Sequence, residues 1–227
     1  MRRTAYRHGR PKLLELSAPY VAHQFDDAAQ QHEAAALGMW VFLVTEIMFF
    51  GGLFTAYVVY RTAFPVAFHG ASHELDIALG AFNTAVLLTS SLTMALAVHG
   101  AQVGKRGMLV VCLLLTIALG TTFLGVKAYE YWHKWHEHLV PGPGFVYHGP
   151  DAANAQLFFS LYFAMTGLHA LHMIVGVVLL AVLTVRGAQG MFNRFYYTPV
   201  EVSGLYWHFV DLVWIFLFPL LYLLGRH

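Results

Sequence analysis

Charge and cysteine are both scarce in this chain. Asp, Glu, Lys and Arg make up 11% of its 227 residues, whereas a soluble globular domain carries about a quarter. With 58% hydrophobic residues and a mean hydropathy of +0.58, that shortage points to a polytopic membrane protein. The single cysteine, Cys112, excludes an intrachain disulfide and, inside an apolar run, reads as a small buried hydrophobe. No basic run with interleaved aromatics is present, so nothing favours nucleic acid. Phosphate-cradling glycine loops, nucleophile elbows, catalytic-triad spacings and H-E-x-x-H patterns are also missing, and nothing marks an independent catalyst. No compact apolar stretch follows the basic N-terminus before Ala34, so a cleaved signal peptide is not expected. The absence of short alternating segments excludes a transmembrane barrel, and no internal repeat of fixed period occurs.

Five continuous apolar stretches are present, at residues 36–60, 77–99, 107–130, 155–185 and 202–224. Each meets the requirement of about 20 residues for a membrane helix. The expected fold is all-α, a bundle of five transmembrane helices over residues 36–227. A polar, basic segment over residues 1–35 precedes it, and its "HQFDDAAQQHEAA" reads as a helical lead-in along the membrane surface. Five spans place Arg2, Arg3, Arg7, Arg10, Lys12, Lys105, Arg106, Arg186 and Arg194 on one side, and Arg61, Lys127, Lys134 and Arg226 on the other. That bias predicts a cytoplasmic N-terminus and an outside C-terminus. Trp132 and Trp135 suit an outer aromatic belt, and Tyr196 and Tyr197 an inner one.

Several polar residues interrupt the spans. In "GMWVFLVTEIMFFGGLFTAYVVYR", Glu46 lies roughly 14 Å into a helix that starts near Leu37. An ionised, lipid-facing acid there costs about 2.5–3.5 kcal/mol on insertion scales. Glu46 is therefore expected to be neutral or partnered, facing protein, bound water or a lipid polar group, and it is a proton-handling candidate. Gly51, Gly52 and Ala56 offer a small-residue face for close helix approach. Trp40 and Arg61 are further candidates for lipid or subunit contact. The fifth span holds "YWHFVDLVW", where His208 and Asp211 share a face and are expected to neutralise one another in a buried hydrogen bond. Trp207 and Trp214 lie on another stripe, facing lipid or a partner helix. The fourth span holds His169 and His172 in "TGLHALHMIVG". One helical turn between two histidines does not bracket a single haem iron, so interhelical hydrogen bonding is the expectation. After the third span, "YEYWHKWHEH" offers a surface-level Lys127–Glu130 pair. It also groups His133, His136, His138 and Glu137, as a solvated aromatic cap or a metal site, and the cap is preferred. No metal is expected.

Five blocks, one per span and in order, carry a family resemblance: "GMWVFLVTEIMFFGGLFTAY", "FNTAVLLTSSLTMALAVHG", "LGVKAYEY", "YFAMTGLHALHMIVG" and "LYWHFVDLVWIFLFPLLY". Together they resemble subunit III of cytochrome c oxidase, in the haem-copper oxidase superfamily. The resemblance implies a helical subunit with no cofactor of its own, packed against a catalytic subunit I. It implies haem a and copper in partner subunits, contacts with subunit II and other small subunits, structural phospholipid in a cleft, and support of proton uptake and sustained turnover. A larger respiratory supercomplex is left open. Glu46 matches the family's intramembrane glutamate, the one that reacts with hydrophobic carbodiimides. Glu130 and Tyr131 match its Glu-Tyr pair. Thr166, Gly167, His169 and His172 match its Thr-Gly-x-His-x-x-His pattern, and Trp207 to Asp211 its Trp-His-Phe-Val-Asp. The mitochondrial-type subunit has seven helices, and this chain begins at the equivalent of the third. That matches the five-helix bacterial form and leaves the source of one cleft wall open.

The leading expectation is the accessory subunit III of a bacterial aa3- or caa3-type cytochrome c oxidase, a non-catalytic part of a proton-translocating enzyme in the inner membrane. A quinol oxidase subunit III and the related small subunit of a nitric oxide reductase share the same plan. A secondary transporter coupled through Glu46 and Asp211 lacks inverted repeats and paired broken helices. A b-type cytochrome would need ligands on facing helices.

Overall fold

The computed structural model describes residues 21–224. The basic residues from Arg2 to Lys12, and Arg226, lie outside them. Among the described residues there is no strand, and five helices are long and apolar enough to cross a membrane. They are α1 (Ala28–Ala63), α3 (Ile77–Gln102), α4 (Arg106–His136), α5 (Ala152–Ala188) and α6 (Thr198–Phe218); a short α2 (Pro65–Ser72) separates the first two.

Local chemistry explains most boundaries. The Asp27 carboxylate accepts from Gln30 N at 2.8 Å, while the Gln30 side chain accepts from Asp26 N at 2.7 Å. This reciprocal cap starts α1 at Ala28, ahead of the apolar run. The polar lead-in is thus continuous with the first membrane helix and not a separate surface element. Phe64 ends α1 because the residue before a proline is pushed out of the helical region. Pro65 then opens α2, a helix inside what reads as a plain connection. Asp76 caps α3 by accepting from Ala78 N and Leu79 N at 2.8 and 3.2 Å. Gly104, at φ +72°, closes α3 in the left-handed conformation and feeds directly into α4. At the far end, Pro219 cannot donate a backbone bond, and α6 gives way to a π-turn over Pro219–Leu223.

Helices α3, α4, α5 and α6 form a four-cornered barrel, with α3 beside α4 and α6, and α5 beside α4 and α6. Helix α1 lies outside against α6 and α5, and α2 rests on α5. The barrel is held closed by Trp207 and Trp214, both fully buried. The seven-residue stripe they share therefore faces inward, so of the two alternatives expected from sequence, lipid or a partner helix, it is neighbouring helices that they meet. The reason is volume. A Cβ on Gly120 of α4 would sit 2.7 Å from the Trp207 ring, and one on Gly176 of α5 would sit 3.0 Å from it. Two helices present glycine where α6 presents its largest side chain. By contrast, a Cβ on Gly51 or Gly52 would meet nothing within 4 Å. Neither glycine of that α1 face is packed closely against another helix among the described residues. Its neighbours Trp40, Val44, Ile47 and Met48 are exposed.

Candidate functional site

The first cluster is built around Glu46, the nineteenth of the 36 residues of α1. Its Oε2 lies 3.2 Å from Nε2 of His172 on α5. The other ring nitrogen of His172 is 2.9 Å from the Leu168 carbonyl. A carbonyl only accepts, so Nδ1 carries a hydrogen. Nε2 and Glu46 Oε2 then share one proton. Either a neutral carboxylic acid donates to a neutral imidazole, or an imidazolium donates to a carboxylate. The pair is electrically neutral in both cases, which removes most of the cost of holding an acid at this depth. Tyr206 of α6 completes the site by donating its hydroxyl to the His172 carbonyl at 3.0 Å.

This pair sits at the edge of an apolar groove of about 410 Å³ between α1, α5 and α6, walled by Met39, Phe42, Leu171, Val175, Leu179 and Tyr206. A second groove of about 210 Å³, lined by Ile47, Phe50, Phe54, Phe209, Leu212 and Phe216, runs on the opposite flank of α1. Both are open and shaped for chains of methylene or methyl groups, and the first carries a polar edge.

The second cluster lies near the C-terminal end of α4. Lys127 Nζ donates to Glu130 Oε2 at 2.9 Å and to the Tyr222 hydroxyl at 2.7 Å. Tyr222 and Tyr162 in turn donate to Glu130 Oε1, at 2.6 and 2.9 Å. The ammonium also faces the rings of Trp214, Tyr162 and Tyr222, at 4.8, 5.3 and 5.4 Å from their centroids. Both charged residues are only 3% exposed. The expected pair exists, but it is a sealed ion pair within the barrel and not a surface one, because two tyrosines from α5 and the π-turn close over it. Next to it, Tyr131 and Thr166 hydroxyls join α4 to α5 at 2.6 Å.

The third cluster corrects a pairing. His208 and Asp211 share a face but do not bond to each other. His208 Nδ1 meets Ser91 Oγ at 2.7 Å, and Asp211 Oδ2 meets Ser90 Oγ at 3.5 Å. Ser90 also accepts from Trp207 Nε1 at 3.1 Å. Adjacent serines on α3 thus hold three α6 residues, Ser90 taking Asp211 and Trp207 and Ser91 taking His208. The "SS" in the second span was the available signal. His169 differs from its neighbour His172 as well. It is fully buried against Phe123 and Trp214, with no hydrogen bond to either ring nitrogen among the described residues, so of the interhelical bonding expected of both histidines the described residues show that of His172. Arg61 reaches the Leu224 carbonyl, tying the end of α1 to the residue that follows the π-turn. His133 and Lys134 both pair with Glu137, at 3.1 and 2.6 Å. No group of three potential metal ligands occurs among the described residues.

The family model described as cytochrome c oxidase subunit III matches residues 22–226. The chain belongs to the cytochrome c oxidase subunit III family. Relatives include cytochrome c oxidase subunit 3 of Synechocystis, 36% identical over 82% of this chain and 74% of the relative. The Bacillus subtilis protein of the same description is 32% identical over 83% and 86%. Cytochrome bo(3) ubiquinol oxidase subunit 3 of Pseudomonas aeruginosa is 32% identical over 90% and 92%. Membership makes this chain a multi-pass, non-catalytic subunit of a haem-copper terminal oxidase, associated with other oxidase subunits. The family's electron-transfer chemistry therefore has to be read against a chain whose own polar residues form a shared-proton pair, a sealed ion pair and serine-held side chains.

Proposed function

We propose that this chain is the accessory subunit III of a bacterial aa3- or caa3-type cytochrome c oxidase in the plasma membrane. It packs directly on subunit I, holds phospholipid in the grooves flanking α1, and sustains proton supply to the oxygen-reducing site. Haem a and copper belong to the partner subunits; this chain contributes none of its own. The observation that carries the reading is the 3.2 Å contact between Glu46 and His172 at mid-helix, on the edge of an open apolar groove. A lipid acyl chain in that groove would shield the pair from water while leaving its proton within reach of a neighbouring subunit. The exposed apolar face of α1 around Trp40 and Met48 suits a lipid-mediated or direct contact with subunit I.

A quinol oxidase subunit III is the second reading, favoured by the Pseudomonas aeruginosa relative, a cytochrome bo(3) ubiquinol oxidase subunit 3. Purification of the complex from its native membrane separates the two. A partner with a two-copper centre supports the cytochrome c enzyme, and a partner without one supports the quinol enzyme. Removal of this chain tests the accessory role. The remaining oxidase is expected to keep its haem spectrum but lose activity progressively during turnover. Undiminished activity over many turnovers would overturn it.

A further inference from the structure

Helix α1 is held more firmly at one end than at the other. From residue 21 to Phe42 no residue is buried, and over the whole helix only Leu43, Phe50 and Tyr57 are. The C-terminal end is well anchored. Tyr57 packs against Phe68 of α2 and Phe158 of α5. Arg61 reaches the Leu224 carbonyl, and the chain runs on into α2, where Ala67, Phe68, Ala71 and Ser72 are all buried. The N-terminal half has two polar attachments instead. His32 Nδ1 lies 3.1 Å from Thr198 Oγ1 at the start of α6, with Glu201 Oε2 at 3.7 Å. Glu46 lies 3.2 Å from His172 of α5. Positions 32 and 46 are 14 residues apart, about four helical turns, and so share one face of α1.

The surrounding medium raises the weight of these two attachments. In water, burial of an apolar seam would hold α1 in place. In a membrane, lipid tails are as apolar as the seam, and helices are held by close packing and polar contacts. The N-terminal half has little packing, so its polar contacts carry more of the attachment. Gly51 and Gly52 separate it from the anchored half. Glycine is the poorest helix former after proline, and no close neighbour requires it here, since a Cβ on either would meet nothing within 4 Å. The Thr55 hydroxyl donates to the Gly51 carbonyl at 2.8 Å, a back-bond of the kind that bends helices. On the N-terminal side of this weak point, Met39, Phe42 and Glu46 form the α1 wall of the 410 Å³ groove, facing Leu171, Val175 and Leu179 of α5.

We propose that the N-terminal half of α1 is a hinged wall of the Glu46 groove, pivoting at Gly51–Gly52 and latched shut by the Glu46–His172 and His32–Thr198 contacts. Opening swings Met39 and Phe42 away from α5 and widens the groove for whichever apolar molecule occupies it. The same movement parts Glu46 from His172, so groove opening and the sharing of their proton are one event. Phe50, beside the pivot, moves least and keeps its contact with Phe209.

Paired spin labels on the intact oxidase in lipid nanodiscs test this. Labels on Leu37→Cys and Val185→Cys, exposed positions near the start of α1 and the end of α5, report the width of the groove. Labels on Val59→Cys and Phe82→Cys, exposed positions near the end of α1 and the start of α3, report the anchored end. With both latches removed by His32→Ala and Glu46→Ala, the first distance is expected to gain a longer population while the second stays as in the unaltered chain. Adding Gly51→Ala and Gly52→Ala should reduce that longer population. If the latch-free chain does not assemble, His32→Ala alone, which cuts only the part-exposed contact, should show the same shift in smaller measure. An unchanged first distance would overturn the proposal. So would lengthening of both distances together, because α1 would then leave the barrel as a whole and not at a pivot.

Discussion

At the scale of single residues, the governing fact is that Glu46, Lys127 and Lys134 each meet a particular neighbour of complementary chemistry, whereas the buried Asp211 has only serine contacts. Glu46 illustrates what that allows. Because His172 Nδ1 is committed to the Leu168 carbonyl, only one proton occupies the space between Nε2 and the carboxyl. Glu46→Gln keeps a donor for Nε2 but removes the exchangeable proton, whereas Glu46→Ala leaves the ring nitrogen without a partner. Both variants are therefore expected to assemble, with only Glu46→Ala losing stability, by about 1–3 kcal/mol. Infrared spectra should show one carboxyl signal fewer in Glu46→Gln, and thermal melting of the complex checks the difference between the two. Lys127 is a sharper case. Lys127→Met strands Glu130 between two tyrosine donors in a sealed site, at a cost of about 3–5 kcal/mol. Adding Glu130→Gln to the same chain should recover much of that loss. A double-mutant cycle on the melting temperature of the complex measures it, and an additive result would contradict the coupling. Of these clusters the sequence disclosed the acids and the i,i+3 spacing of Lys127 and Glu130. It did not disclose Tyr162 and Tyr222, which come from distant segments and bear no local mark of being lid residues.

At the scale of elements, the tryptophan–glycine contacts decide how tightly the barrel closes. A Cβ at Gly120 or Gly176 would approach the Trp207 ring to 2.7 or 3.0 Å. That ring is fixed by its bond to Ser90 and has no free end to yield. Gly176→Val is therefore expected to destabilise by about 1–3 kcal/mol through overpacking, whereas Gly52→Val should leave the packing within the chain undisturbed. Chemical denaturation of the complex, with retention of this chain as the readout, compares the two. The helices themselves were legible because apolar runs of span length allow little else in a membrane. Their ends were less so. Residues 28–35 are strong helix formers with no breaker, so α1 runs on through them. Helix α2 lies in the connection between the first two spans, where Pro65 serves as a helix start. The inward turn of Trp207 and Trp214 was illegible for a physical reason. In lipid, the outer and inner faces of a helix are equally apolar, and hydrophobicity does not tell them apart.

At the scale of the whole molecule, the number of spans fixes a relation between the two ends. Five crossings would put the two ends of the described residues on opposite sides of the membrane. The end of α4, α2 and the α4–α5 loop then share the side of the C-terminus, while the α3–α4 turn and the α5–α6 loop share that of the N-terminus. The surplus of Lys and Arg on the latter side, including Lys105, Arg106, Arg186 and Arg194, favours its retention in the cytoplasm. This orientation has a consequence for the chemistry. With the N-terminal side in the cytoplasm, the Lys127–Glu130 pair would lie toward the outer face, and Glu46, central in α1, between the two faces. Proton uptake from the cytoplasm would then engage Glu46 and His172. Reporter fusions give a direct reading. An enzyme active only in the cytoplasm should report when fused in the α3–α4 turn or the α5–α6 loop, and be silent when fused in the α4–α5 loop or after the last helix. A cytoplasmic signal from the α4–α5 loop would invert the assignment and move the Lys127–Glu130 pair to the proton-uptake side. It would leave the five-span count intact, because that count predicts only that neighbouring connections alternate.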